Sequence, residues 1–313
     1  MVCVNLLWST AGVASRHLSV IKGIELTFWR SAFCALAMAV LLAYRGQWQC
    51  FKLRTYTAQP ALRQSSLCWS VMFTCFMLAM TYTSVGNVLI VMSIVPLLTA
   101  LLAKVLLGRT LAPHTWLAIV IMVMGLAVMF AQGAAVTDSR DFAGILIAFG
   151  VPIAASYNWI ILQKNKLGSH TQKIVDLIRV DLMRVSLMRV DLIPAVFAGA
   201  VLSAALSAIF ILATTTFQGF AAPADLAILA GLGFFQLALP CAMAVWLSRH
   251  LPAHEMAMLG VLEVIFGTLW AWLWAGEVLA FATILGGLMV LIALLGNEIG
   301  NKVGNKIGNE IAK

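Results

Sequence analysis

Apolar runs follow one another along almost the whole chain, parted by short polar stretches. A helix of about 18 or more apolar residues is long enough to cross a bilayer. The pattern predicts ten spans, near 1–15, 24–44, 66–83, 85–107, 115–131, 143–162, 192–213, 227–247, 253–275 and 278–295. The first is short, rising about 22 Å as a helix against a hydrocarbon core of ~30 Å. It is either a thin anchor or a segment whose start lies upstream of Met1, and the second is the expectation. The predicted class is an all-α polytopic membrane protein.

Composition sharpens this picture. The chain is 62% hydrophobic and 10% charged, where a soluble domain carries about 25% charged residues. The net charge of +8 would suit nucleic acid only as a basic patch with interleaved aromatics, and the basic residues here sit in loops between spans. No nucleic-acid partner is expected; the lipid bilayer is. With the N-terminus inside, the inner loops and tail hold Arg45, Lys52, Arg54, Arg63, Lys104, Arg109, Lys164, Lys166, Lys173, Arg179, Arg184, Arg189, Arg249, Lys302, Lys306 and Lys313. The outer loops hold only Arg16, Lys22 and Arg140. By the positive-inside rule both termini are cytoplasmic, in a cell (plasma or inner) membrane. Cys34, Cys68, Cys75 and Cys241 fall in or beside apolar spans with no C-x-x-C spacing, as small core residues do. A basic segment ahead of the first span is lacking, so no cleaved signal peptide is expected.

Shifting residues 97–126 by 168 positions lays them on 265–294 without a gap. Gly108 meets Gly276, Leu111 meets Leu279, Ala112 meets Ala280 and Thr115 meets Thr283. A unit of five spans ends on the side opposite its start, so a second copy inserts upside down. Inverted repeats of this kind recur in secondary transporters, with the substrate site near the midplane. The expected architecture is about ten transmembrane helices in two inverted five-helix repeats, 1–132 and 142–296, followed by a low-complexity tail at 297–313.

The stretches LLWSTAGVASRHL, GIELTFWRSAF, YTSVGNVLIVMSIVPLLTALLA and LPAHEMAMLGVLEVIFGTLWAWLWAGE resemble the EamA family of the drug/metabolite transporter superfamily. The most specific motif is the ninth span, where Glu263 precedes an aromatic-rich stretch closing in Gly276 and Glu277. The family pattern places proline after that first glutamate. Here Val264 stands there, which weakens the case for a broken ninth helix, while Pro96 is kept at the matching place in the first half. Arg109 stands where Glu277 falls in the second half. The resemblance implies secondary transport of small metabolites such as amino acids or related compounds, very often export.

Charge buried in lipid costs at least about 2.5–3.5 kcal/mol, so ionisable residues within spans are candidate functional groups. Glu263 lies ten residues into its span, roughly 15 Å deep. It is a candidate for proton coupling or for holding a substrate amine, with a protonated or hydrogen-bonded packing glutamate as the equal alternative. Arg30 lies about 9 Å from the outer end of the second span. It could pair with an anionic substrate group or with an acidic side chain, Glu25 being close in sequence; snorkelling to the surface or a structural role is the plainer reading. Gln236 sits at a depth like that of Glu263, one turn before Pro240, and needs partners, either another helix or a ligand. Trp8, Ser9 and Thr10 in the first span and Tyr157, Asn158 and Trp159 in the sixth occupy equivalent places in the repeat. Together they could line a cavity, although helix packing accounts for any one of them. Asn87, near the outer end of the fourth span, is a candidate gate.

An intramembrane enzyme is the rival class, and it needs a nucleophile with a base, or two carboxylates, at bilayer depth. The sequence holds no G-x-S-x-G, H-E-x-x-H or Walker A motif, and its five histidines, His17, His114, His170, His250 and His254, lie in loops or at span ends. No catalytic residue, metal or cofactor is expected. A passive channel or scaffold stays open as a third class, as does the oligomeric state.

Two tandem repeats remain. Residues 175–194, VDLIRVDLMRVSLMRVDLIP, repeat a five-residue unit in the loop before the seventh span. Five residues advance a net 140° on a helix, so Arg179, Arg184 and Arg189 form no single stripe. The stretch is expected to be topology signal and spare length, with its last copy, RVDLIP, as the entry to the seventh span. The tail, GNEIGNKVGNKIGNEIAK, has a glycine in every four-residue unit, each costing about 1 kcal/mol against alanine in a helix, and is expected to be weakly ordered.

Overall fold

The computed structural model describes residues 1–11, 23–51, 56, 59–83, 85–108, 111–130, 139–178, 191–214, 223–275 and 281–311. Every regular element among them is helical. In chain order these are α1 (Val2–Trp8), α2 (Ile24–Tyr44), a 3₁₀ turn (Gln47–Phe51), α3 (Pro60–Tyr82), α4 (Val85–Met92), α5 (Val95–Leu107), α6 (Pro113–Phe130) and α7 (Ser139–Ala148). Then come α8 (Gly150–Ile178), α9 (Ile193–Thr214), α10 (Pro223–Gly231), a π-helical turn (Leu232–Ala238), α11 (Leu239–Leu247), α12 (Ala253–Gly260), α13 (Leu262–Ala275) and α14 (Phe281–Ile311).

Local sequence explains many of the boundaries. Pro60 and Pro96 sit in the first turns of α3 and α5, where a missing N–H costs nothing. Gly108 ends α5 at φ 64°, the left-handed conformation that glycine enters without strain.

Among the described residues, seven stretches are long and apolar enough to cross a membrane: Ile24–Tyr44, Pro60–Tyr82, Ser139–Asn165, Ile193–Thr214, Asp225–Leu247, Ala253–Trp274 and Phe281–Lys302. The chain is a multi-pass helical membrane protein. The other three predicted spans differ from expectation. The described part of the first is only α1, and 12–22 lie outside the described residues. The fourth is two short helices, α4 and α5, and the fifth is a shorter apolar helix.

The break in the fourth span has a local cause. Pro96 has no N–H to give the preceding turn, and Ile94 N bonds Val91 O at 3.2 Å, a tighter i−3 contact. The ninth span is broken too, between α12 and α13, although no proline is there. Val261 N bonds Met258 O at 3.2 Å and Val264 N bonds Val261 O at 3.0 Å. Loss of the family proline at Val264 therefore has not straightened this helix. The 168-residue shift lays Ser93, in the first break, on Val261, in the second.

Carbonyls beside each break find side-chain donors from elsewhere in the chain, as lipid-buried backbone requires. Asn5 Nδ2 of α1 donates to Leu259 O at 2.7 Å. Ser156 Oγ of α8 donates to Val95 O at 3.2 Å. The first predicted span thus supports the ninth, and the sixth supports the fourth.

One expectation is corrected at the C-terminus. The tail is not weakly ordered: α14 runs unbroken from Phe281 through the four-residue repeat to Ile311. It gains contacts beyond the apolar span. His114 Nε2 and Asn301 Oδ1 are 2.9 Å apart, and the His114 ring lies so close to Gly300 that a Cβ there would meet it at 2.6 Å. Lys302 also pairs with Glu298 one turn back at 3.1 Å. These contacts offset part of what the glycines cost. Within the membrane, α14 packs on α6 through Gly125 and Gly286, whose backbones approach too closely for any side chain.

Candidate functional site

A cavity of about 120 Å³ lies among α1, α2, α3, α8, α11 and the two broken spans. Both breaks open onto it: Ser93 and Val95 line it from one, Gly260 and Val261 from the other. Its walls are largely aromatic and sulfur-bearing, with Trp8, Trp69, Phe73, Phe76, Trp159, Met72, Met92 and Met256. Trp69 meets Trp159 edge to face, centroids 6.4 Å apart at 85°, and tilts against Phe73 at 5.6 Å. Behind Trp69, Gly199 of α9 closes in so far that a Cβ there would lie 2.5 Å from Trp69 Cβ. That ring is held on both sides.

Besides Ser93 at the first break, three polar side chains reach this apolar space, and each is placed by a particular local feature. The π-helical turn Leu232–Ala238 carries Gln236, and a widened turn of this type is frequent at functional sites. Gly233 in the same turn abuts α2: a Cβ there would lie 2.9 Å from Cys34 N and 3.0 Å from Arg30 O. The close approach lets Arg30 Nη1 donate to Gln236 Oε1 at 3.2 Å, while Gln236 Nε2 donates to Trp8 O at 3.4 Å. Arg30, Gln236 and Trp8 form one chain through three elements. Of the two plainer readings of Arg30, burial excludes snorkelling and leaves a structural role open. The side chain is 2% exposed, and its Nε has no acceptor among the described residues.

Glu263 lies in the first turn of α13, directly after the break, and faces the cavity. Among the described residues, no hydrogen bond joins its carboxylate to another side chain. Glu263 and Arg30 line the same cavity, and their opposite charges attract across it without forming an ion pair. The site holds one basic and one acidic side chain with no ion pair between them among the described residues.

Of the ten candidate residues, the fold brings Trp8, Arg30, Trp159, Gln236 and Glu263 together here. The other five do not line this cavity. Ser9 Oγ donates to Leu6 O at 2.8 Å and accepts from Trp270 Nε1 at 2.9 Å, and Thr10 Oγ1 donates to Leu7 O at 2.7 Å. Asn87 is 5% exposed and donates to Thr83 Oγ1 at 2.8 Å. Tyr157 faces outward at 36% exposure, whereas Asn158 is buried and accepts from Ser65 Oγ at 2.7 Å, tying α8 to α3. These bonds use the polar groups for packing. Sequence reasoning overlooked Trp69, Phe73 and Phe76. Their i, i+4, i+7 spacing marks a common helix face, but core-facing aromatics share that spacing.

The model of a family described as EamA-like transporters matches residues 1–131. A solved structure described only as "Crystal structure of protein" shares the fold with a TM-score of 0.71, at 14% identity, over 95% of this chain and 94% of its own. No curated protein sequence matches. The fold likeness spans nearly the whole chain, whereas the family match stops where the first predicted repeat ends. Over its residues 1–131, the chain is similar to the EamA-like transporter family.

Proposed function

We propose that this protein is a secondary carrier, an exporter of small metabolites such as amino acids or related compounds, working by alternating access around the cavity between two inverted five-helix repeats. Both termini face the cytoplasm of a plasma or inner membrane. The observation that carries the reading is that Arg30 and Glu263 line one aromatic cavity bounded by two broken helices. Discontinuous helices at the midplane are where secondary transporters bind their substrates.

The chemistry of the cavity supports the substrate class. A water needs about 10–15 Å³ of such space, so a cavity of this size takes a ligand on the order of ten non-hydrogen atoms. A zwitterion would set its anionic group toward Arg30 and its amine toward Glu263, with its apolar part against the rings. When no amine is present, Glu263 is free to take a proton, which couples substrate movement to the proton gradient.

The test is transport by purified protein in proteoliposomes across a panel of amino acids and related metabolites, with and without a pH gradient. The wild-type chain is expected to show saturable flux that responds to the gradient, and Glu263→Gln to lose that response. Flux that never saturates would instead indicate a channel. Unchanged gradient dependence in Glu263→Gln would remove Glu263 from proton coupling.

A further inference from the structure

Asp191 belongs to the last copy of the five-residue repeat, the part of the chain assigned above to topology and spare length. The copies at 179–190 lie outside the described residues, but Asp191 does not. Its carboxylate gathers four groups. Arg249 Nη2 lies 2.8 Å from Oδ1, and Ile193 N donates to the same oxygen at 3.1 Å. Gln47 Nε2 donates to Oδ2 at 2.9 Å, and Arg45 Nη2 stands 3.7 Å from it.

These partners come from distant parts of the fold. Arg45 caps the C-terminus of α2, and Gln47 opens the 3₁₀ turn that follows, so both belong to the first predicted repeat. Ile193 begins α9, and Arg249 follows α11, so both belong to the second. One carboxylate therefore ties the two halves together at the end of the bundle that the charge count places in the cytoplasm. Leu42 and Leu62 from the first half and Leu192, Ile193 and Met256 from the second belong to one buried apolar cluster. Met256 is also a wall of the cavity.

We propose that Asp191 is the latch of a gate at the cytoplasmic end of the cavity. The inference rests on the alternating-access reading, in which this end parts when one half rocks against the other. Every contact that Asp191 makes to Arg45 and Gln47 crosses the line of parting and has to break. The arginines suit a reversible tie: Arg45 is 38% and Arg249 44% exposed, and pairs open to water are individually weak. The carboxylate has a second, local use as the cap on the first N–H of α9, and the test has to separate the two.

The experiment uses the full chain with its six native cysteines replaced by alanine and Met256→Cys as reporter. A membrane-impermeant methanethiosulfonate reagent is added to the cytoplasmic face of membrane vesicles, and the rate of modification is measured. Asp191→Asn keeps an oxygen for the α9 cap and loses the arginine pairing, and Arg249→Ala leaves the cap intact. Both variants are expected to raise the rate by about two- to fivefold, as losing weak pairs of this kind allows. Rates equal to the parent in both would reduce Asp191 to a helix cap and overturn the latch. If the reporter background does not fold, amide hydrogen exchange on the native-cysteine chain replaces it. Asp191→Asn should then speed exchange at 192–196 and 253–257, and no change there overturns the proposal. The readout does not depend on any substrate. Unchanged labelling in a chain that transports sinks the latch alone, whereas labelling that responds in a chain that moves nothing sinks the carrier reading.

Discussion

Arg30 shows what an isolated buried charge demands of its neighbours. Its guanidinium has left water, and one of its donors is met by Gln236, a neutral side chain, rather than by Glu263 on the same cavity. A full ion pair would hold both charges and leave nothing for a ligand to offset. Gln236 orients Arg30 and leaves its charge uncompensated. Gln236→Leu should leave Arg30 Nη1 without an acceptor and lower stability by about 1–3 kcal/mol, measured by thermal unfolding in detergent. It should also weaken substrate affinity more than the maximal rate, because Arg30 would no longer be held in place. Arg30, Gln236 and Glu263 were legible in the sequence because polar groups within apolar spans are costly and few. Trp69 was not, because a tryptophan in an apolar helix satisfies the same pattern whether it faces a cavity, a neighbour or lipid.

At the scale of the helix, the two breaks define the site more than any single helix does. Each interrupts a membrane-spanning stretch, and each is supported by one hydrogen bond from a helix distant in sequence. Asn5 is the clearer of the two: it is fully buried, and it donates across 254 positions to Leu259 O. Replacing it with leucine should leave that carbonyl unsatisfied, at a cost of about 1–3 kcal/mol. Hydrogen exchange of the amides at 260–264 should rise with it, and protection equal to wild type would remove Asn5 as a support of the break. The first break was legible from Pro96. The second was not, because Val264 offers no signal; the helix opens at Val261 through the packing around it. The tail misled in the opposite direction. Its glycines argue against a helix, and helix propensity gave way to a preceding helix that extends it and to a histidine that packs on Gly300.

For the whole molecule, the last copy of the tandem repeat supplies Asp191 to contacts that the fold uses, and residues 179–190 lie outside the described residues. Deleting residues 176–185 keeps Asp191 and every contact it makes, so insertion and transport should stay near normal in proteoliposomes. Loss of transport by a stably expressed deletant would show that the upstream copies work. By itself the sequence determined that the chain enters a bilayer, about where its helices run, and which few polar groups are out of place there. Those are local properties, set by the free energy of moving each stretch of side chains from water into hydrocarbon. Only the tertiary structure decided which of those groups meet. Arg30 and Gln236 are 206 positions apart, and Asp191 and Gln47 are 144 apart. Such pairs depend on how helices pack at glycines such as Gly233 and Gly199, and no periodicity along one helix encodes its neighbour. That packing gathered three polar residues at one cavity and set Asp191 among Arg45, Gln47 and Arg249.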